Sequence, residues 1–126
     1  MAKTNATVVD FGPGDVSVAW TAVPALQNSW TNASGYQTAQ YSRSESGRVR
    51  LRGQIAPGTL TAGTLLFTLP VGFRPAAKES FPVISEVAAG ATTSVIVDTD
   101  GTVKIGSIAV TTASSISLSG VQFESA

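Results

Sequence analysis

The chain has 126 residues, of which 43% are hydrophobic and 13% are charged, and its eight basic and eight acidic residues give no net charge. This composition indicates one folded domain, and the absence of a basic excess argues against binding to duplex nucleic acid. The chain has no histidine and no cysteine, which excludes Ser-His-Asp and Cys-His catalysis and the usual zinc sites, and no apolar run approaches the ~20 residues of a membrane helix.

The first half of the chain predicts three β-strands. Residues 15–23 alternate between apolar and polar side chains with the period of two that is typical of a strand, and Pro24 ends the pattern. Residues 36–44 and 48–56 predict a hairpin. Their short connector, residues 45–47, is polar and ends in a glycine, which suits a tight turn.

The second strand of this hairpin has two chemically different faces. Its apolar face carries Val49, Leu51 and Ile55. Its polar face carries Arg48, Arg50, Arg52 and Gln54. A strand with this alternation covers a core on one side and meets solvent or a partner on the other.

The second half of the chain predicts further short strands separated by turns. The predicted strands are residues 65–69, 81–87, 92–97, 102–105, 108–110 and 115–123. Two prolines and a glycine make residues 70–75 a rigid turn, and residues 98–101 (Asp-Thr-Asp-Gly) form a strong hairpin-turn signal. We therefore expect an all-β fold, an antiparallel, jelly-roll-like β-sandwich of about eight short strands.

The acidic residues do not indicate a catalytic or metal site. They are scattered, mostly at turns or termini, whereas a glycosidase needs two carboxylates facing each other across a cleft. Residues 98–101 resemble the start of a calcium loop, but Ala109 stands where the loop needs a glutamate. We expect no enzyme activity, no cofactor and no metal.

Arginines form the one charge cluster, which consists of Arg43, Arg48, Arg50 and Arg52. Two interpretations remain open: a solvated outer face of the hairpin, or a subunit or ligand contact to which Tyr36 and Tyr41 contribute. Trp20 and Trp30 are interpreted as core or interface anchors in preference to sugar platforms.

Several short motifs of the sequence occur together in one protein family. They are Trp30, Gly35-Tyr36, Tyr41-Ser42-Arg43, the strand from Gly47 to Gly53, Leu66-Phe67-Thr68-Leu69-Pro70-Val71-Gly72-Phe73-Arg74-Pro75, Asp100-Gly101-Thr102-Val103 and Leu118-Ser119-Gly120-Val121-Gln122-Phe123. Over most of residues 28–123 the chain resembles the C-terminal head domains of tail-fibre and minor tail proteins of tailed bacteriophages. The motif that ends at Pro75 is the most specific of these.

The resemblance implies a β-sandwich, often trimeric, that is exposed on a virion and has no transferable catalytic site. Residues 28–126 would form this head domain, and residues 1–27 would form an N-terminal arm or strand that docks onto another virion protein or a neighbouring subunit. Eight residues are candidates for the subunit interface or the ligand contact: Trp30, Tyr36, Tyr41, Arg43, Arg48, Arg50, Arg52 and Arg74.

The function expected from these features is that of a non-enzymatic homotrimeric knob on the virion surface that attaches the phage to its host. The expected partners are copies of the chain, other virion proteins and a host-surface glycan, with no nucleic acid and no membrane. Family members usually end a long fibre, whereas about 27 residues precede the matching region here, so we expect a separately encoded virion component or a shortened chain.

Two other functions are weighed against host attachment. A protein that decorates and stabilises the capsid would keep the same fold, and the low charge content suits a surface covered by neighbours. A polysaccharide-degrading enzyme is disfavoured because no acid pair is evident.

Overall fold

The computed structural model describes residues 19–85, 92–106 and 115–126, and the regular elements in these ranges are all β-strands. The first sheet runs in the order β1 (Thr21–Ala22), β3 (Gln40–Arg43), β4 (Arg48–Arg52), β11 (Gln122–Glu124). The second runs β10 (Ile116–Ser117), β5 (Gln54–Ala56), β2 (Thr31–Asn32). The third runs β6 (Leu65–Thr68), β9 (Thr102–Ile105), β8 (Thr92–Val97), β7 (Glu79–Ile84). The strand pairs are antiparallel, as the sequence predicts.

Strands β3 and β4 form the predicted hairpin. Tyr41 lies opposite Leu51, and Arg43 lies opposite Val49. The turn closes through a hydrogen bond from the Ser44 amide to the Arg48 carbonyl (3.0 Å), and Gly47 takes a positive φ of 93°. Glycine reaches this backbone conformation at little steric cost, which explains its place at the end of the connector.

The predicted strand over residues 48–56 changes sheet at Gly53. Residues before Gly53 pair in the first sheet as β4, and residues after it pair in the second sheet as β5. Gly53 has a φ of 109°, so the chain turns there and the ladder is interrupted. The Leu118 amide donates to the Gly53 carbonyl (2.8 Å), which ties the crossing point to the segment before β11.

The third sheet contains the meander that the sequence predicts around residues 98–101, with β8 and β9 at the predicted bounds. Strand β7 begins earlier than expected and is an edge strand that contains Pro82. The predicted strand 115–123 is in fact two strands in different sheets, because a turn from Leu118 to Val121 separates β10 from β11. The predicted strand 108–110 lies outside the described residues, as does most of the predicted strand 15–23.

One hydrophobic core joins the three sheets into a β-sandwich. Its fully buried large side chains come from all three sheets and their connections, and include Trp30, Leu51, Ile55, Leu66, Phe67, Leu69, Ile105, Ile116 and Leu118. Phe81 of the third sheet and Phe123 of the first also pack together, with ring centroids 6.2 Å apart. None of the described residues belongs to a helix with the length and hydropathy that crossing a membrane requires.

Residues 19–27 are attached to the rest of the domain. Strand β1 pairs with β3, and the Val23 and Gln27 amides donate to the carbonyls of Ala39 (3.1 Å) and Leu66 (2.8 Å). The last part of the expected N-terminal arm therefore contributes a strand to the sandwich of its own chain.

The β8–β9 turn contains a carboxylate whose pKa is lowered by hydrogen bonds. Asp100 Oδ1 accepts from Thr102 Oγ1 (2.6 Å) and from the Thr102 amide (3.0 Å), and these two bonds lower the pKa of Asp100 below its ordinary value. Because the folded pKa is depressed, the stabilisation is present at neutral pH and is lost as the pH falls through that pKa.

Thr102→Val should therefore raise the pKa of Asp100 towards its ordinary value, because the hydroxyl donor with the larger effect is removed. Thr102→Ser keeps the hydroxyl and should leave the pKa low. A titration of the side-chain carboxyl followed by NMR measures both, and equal pKa values in the two variants would contradict this account.

Candidate functional site

Strand β4 carries three arginines on the side of the first sheet that faces away from the core. Arg48, Arg50 and Arg52 alternate with the buried Val49 and Leu51. We call the side that carries these three arginines the arginine face. Because strand side chains alternate, cross-strand partners in register share this face. The partners are Glu124 opposite Arg48, Ser42 and Gln122 opposite Arg50, and Gln40 opposite Arg52.

Trp20 lies against two of these arginines. The Arg52 guanidinium carbon is 4.2 Å from the centroid of the Trp20 ring, and the Arg50 guanidinium carbon is 5.4 Å from it. Both distances are within the ~6 Å range of cation–π attraction. The Arg52 side chain is also fixed by its cross-strand partner on β3, since its Nε donates to Gln40 Oε1 (2.7 Å).

Arg48 differs from the other two arginines. Its Nε contacts Glu124 Oε2 at 3.1 Å, and the side chains of this ion pair are 52% and 62% exposed. A pair this exposed contributes about 0–1 kcal/mol to stability, because water and salt screen it. Arg48 is therefore a solvated, charge-compensated member of the arginine face.

An open groove of about 310 Å³ lies beside Trp20 on this face. Its lining consists of Trp20, Arg50, Leu51, Arg52, Ser119, Val121 and Gln122, and we call it the Trp20 groove. The lining combines two guanidinium groups, a hydroxyl, an amide and an indole. It can donate several hydrogen bonds to one ligand and can hold a flat apolar surface against the indole.

The structure separates the predicted arginine cluster. Arg43 pairs with Val49 and so lies on the opposite side of the sheet from the arginine face. It packs beside Gly72, and its Nε is buried without a hydrogen-bond partner among the described residues. The expectation that Arg43 shares one surface with Arg48, Arg50 and Arg52 is wrong. Across a hairpin whose connector has three residues, even-numbered residues lie opposite even-numbered ones and odd-numbered residues opposite odd-numbered ones. Arg43 therefore lies on the other side of the sheet from the three even-numbered arginines.

Tyr41 also lies on the core side, opposite Leu51. Its ring meets Phe73 edge-on, with centroids 4.8 Å apart and the planes at 78°, a favourable arrangement for two aromatic rings. Tyr41 therefore anchors the turn of residues 70–75 to the sandwich and does not reach the arginine face.

The remaining candidates lie elsewhere. Trp30 is 2% exposed and donates its Nε1 to the Thr59 carbonyl (3.0 Å), so it is a core residue and contributes no accessible contact surface. Tyr36 is 50% exposed in the loop before β3. Arg74 donates its Nε to the Leu69 carbonyl (2.9 Å) and lies against Gly101, which links the 70–75 turn to the β8–β9 turn.

The sequence interpretation did not place Trp20, Ser119 and Gln122 at this site. Trp20 reaches the site through the long-range pairing of β1 with β3, in which Ala22 lies opposite Gln40, the neighbour of Arg52. Gln122 reaches the groove through the long-range pairing of β11 with β4, and Ser119 lies beside it in the preceding turn, where its hydroxyl accepts from the Gly53 amide at 3.3 Å.

Within the described residues, no group of three or more His, Cys, Asp or Glu side chains is placed so that it could hold a metal ion. Those lining residues of the groove that the structure describes carry cationic and neutral groups and no carboxylate.

The all-β fold is similar to that of a bacteriophage receptor-binding protein. The solved structure in question is the receptor binding protein (gp15) of Listeria phage PSA, with a TM-score of 0.70 and 16% sequence identity. The similarity covers 89% of this chain and 66% of the phage protein, so the chain spans slightly less than two thirds of its length. At this identity the likeness concerns the fold. No protein-family model matches the chain, and no curated protein matches it in sequence.

Proposed function

We propose that this chain is a non-enzymatic component of a tailed-phage virion that attaches the particle to its host. The observation that carries the proposal is the similarity of fold, over 89% of the chain, to a phage receptor-binding protein. The groove and the cationic arginine face support it, because they offer a recognition surface on the exterior of the sandwich.

In this proposal the chain acts as a trimer, as head domains of the resembled family often do. Its low content of charged residues supports burial of part of its surface by neighbouring copies. Residues 1–27 dock the domain onto another virion protein, and residues 19–27 also join this segment to the sandwich. Light scattering should give three times the monomer mass at micromolar concentration, and a monomer mass would contradict the trimer.

The attachment role is tested by binding of the fluorescently labelled chain to cells of bacteria that its parent phage infects. We expect saturable binding that unlabelled chain competes away, together with inhibition of phage adsorption. Absence of binding to susceptible cells by the trimeric protein would overturn the proposal. Release of reducing sugar from cell envelopes during the same incubation would contradict its non-enzymatic part.

Decoration of the capsid is the alternative that the low charge content favours. Immunogold labelling of intact virions separates the two functions, because attachment places the label at the tail and decoration places it in many copies over the shell. Label on the shell alone would replace the attachment proposal with decoration.

A further inference from the structure

We propose that the Trp20 groove binds an acidic group, a carboxylate or a phosphate, of a host-surface polysaccharide. This inference rests on the proposed attachment function and names the chemistry of the ligand. It is carried by the arrangement of Trp20, Arg50 and Arg52 around one open groove.

Arg52 is held in place in a way that leaves its hydrogen-bonding end for a ligand. Its guanidinium carbon lies over the Trp20 ring, 4.2 Å from the centroid, and its Nε donates to Gln40 Oε1. Neither contact uses the terminal nitrogens. A guanidinium fixed in this way loses little side-chain entropy on binding, and its planar pair of donors matches the two oxygens of a carboxylate or phosphate.

A second cation faces the same indole. Because the Arg50 and Arg52 guanidinium carbons lie 5.4 and 4.2 Å from one ring centroid, they are within about 10 Å of each other, a distance at which 0.1 M salt screens charges incompletely. The two positive charges repel one another, and an anion bound between them would relieve that repulsion.

Charge is distributed unevenly over the molecule in a way that supports an anionic ligand. The chain as a whole has no net charge. Among the described residues, the arginine face carries three arginines and one acid, Glu124, and that acid is paired with Arg48 at the end of the strand away from the groove. A local positive potential on a neutral protein attracts an acidic ligand without favouring nonspecific association.

The remaining lining supports a saccharide as the carrier of the acidic group. Ser119 and Gln122 are exposed and offer a hydroxyl and an amide, which can bond to sugar hydroxyls, while the half-buried Trp20 offers apolar surface for the C–H groups of a sugar ring. The volume of about 310 Å³ is at the small end of the ~300–1,000 Å³ range of ligand pockets, and the groove is open, so a polymer can lay one residue in it and extend beyond.

The test is a titration of the full chain with three soluble polysaccharides. Polygalacturonate carries carboxylates, phosphomannan carries phosphates, and dextran is neutral. We expect one of the two acidic polymers to bind at physiological salt and to change the tryptophan fluorescence, and we expect dextran to have no effect. Because Trp30 is buried in the core, Trp20 is the tryptophan that a ligand in the groove would contact. Which acidic polymer binds distinguishes a carboxylate ligand from a phosphate ligand.

Two matched variants separate a site from general electrostatic attraction. Arg52→Gln should weaken binding at least about tenfold, since a charge-assisted hydrogen bond is lost. Arg48→Gln removes the same charge from the same strand and face but lies outside the groove, and should change the affinity less than about twofold. Equal weakening by the two substitutions would overturn the proposal.

A second groove variant and two further outcomes decide whether the acidic-ligand proposal stands. Arg50→Gln provides a second groove variant with the same expected loss if Arg52→Gln does not fold, as judged by circular dichroism. If neither acidic polymer binds while the chain still binds host cells, the acidic ligand is refuted and the attachment function stands. If Arg52→Gln instead dissociates the oligomer, the groove is an interface between copies and the ligand proposal is wrong.

Discussion

Gly53→Ala is expected to destabilise the domain by more than about 3 kcal/mol. At a φ of 109° an L side chain is strained by about 1–3 kcal/mol, and an added Cβ would also overlap the backbone of the neighbouring segment. It would lie 2.6 Å from the Thr38 carbonyl carbon and 2.7 Å from Ala39 Cα. These backbone atoms cannot move away easily, because the adjacent hydrogen bond from the Gln54 amide to the Gln37 carbonyl (2.9 Å) holds their segment in place.

Gly35→Ala is the matched control for this substitution. Gly35 also has a positive φ, 84°, but a Cβ there would meet no heavy atom within 4 Å. Only the backbone strain of an L residue should appear, about 1–2 kcal/mol. Urea unfolding measures both variants. Equal losses would show that the close approach of Thr38 and Ala39 does not constrain the fold.

Trp30→Ala is expected to cost about 3–5 kcal/mol, whereas Trp20→Ala should cost no more than about 1 kcal/mol. The Trp30 side chain is fully enclosed and its indole N–H bonds to the Thr59 carbonyl, so truncation leaves both a cavity and a carbonyl without its donor. Trp20 is half-buried, and its stacked arginines can turn to water when the indole is lost.

The two tryptophan variants should therefore give opposite results in an unfolding assay and in a binding assay. The denaturant midpoint should fall for Trp30→Ala and change little for Trp20→Ala. Binding of the acidic polysaccharide should be lost only in Trp20→Ala, although this variant remains folded. A large loss of stability in Trp20→Ala would mean that this indole belongs to the structural core and not to a recognition surface.

Much of the fold follows from local patterns in the sequence. The alternation of arginines with Val49 and Leu51 predicts both the strand and the face that it buries, and residues 98–101 predict the β8–β9 turn at its observed place. These features depend on neighbours a few residues apart, for which side-chain period and turn chemistry are sufficient.

The change of sheet at Gly53 could not be predicted in the same way. A glycine in a strand indicates a bulge, a bend or a close approach, and only the position of Thr38 and of the segment before β11 decides among them. The described residues form eleven strands, more than the expected eight or so, because residues 48–56 and 115–123 each contribute to two sheets and because strand β2 was not predicted.

The candidate site was predicted in part. The arginine face follows from alternation along β4, and the connector of residues 45–47 could have placed Arg43 on the opposite side by parity alone. The stacking of Trp20 on Arg50 and Arg52 joins residues that are about thirty positions apart, and it arises only because β1 pairs with β3. Residue types alone do not reveal such long-range pairings.

Pro82 in strand β7 has a consequence for how copies of the protein behave when they are crowded. Strand β7 lies at the edge of the third sheet, where an exposed row of N–H and C=O groups would be a template for a strand of another molecule. Proline offers no N–H, and the edge also meets β10 through the bridge of Ser85 to Ile116. A neighbouring chain therefore cannot pair with an uninterrupted ladder along this edge, which protects the β7 side of closely packed domains from fibrillar aggregation.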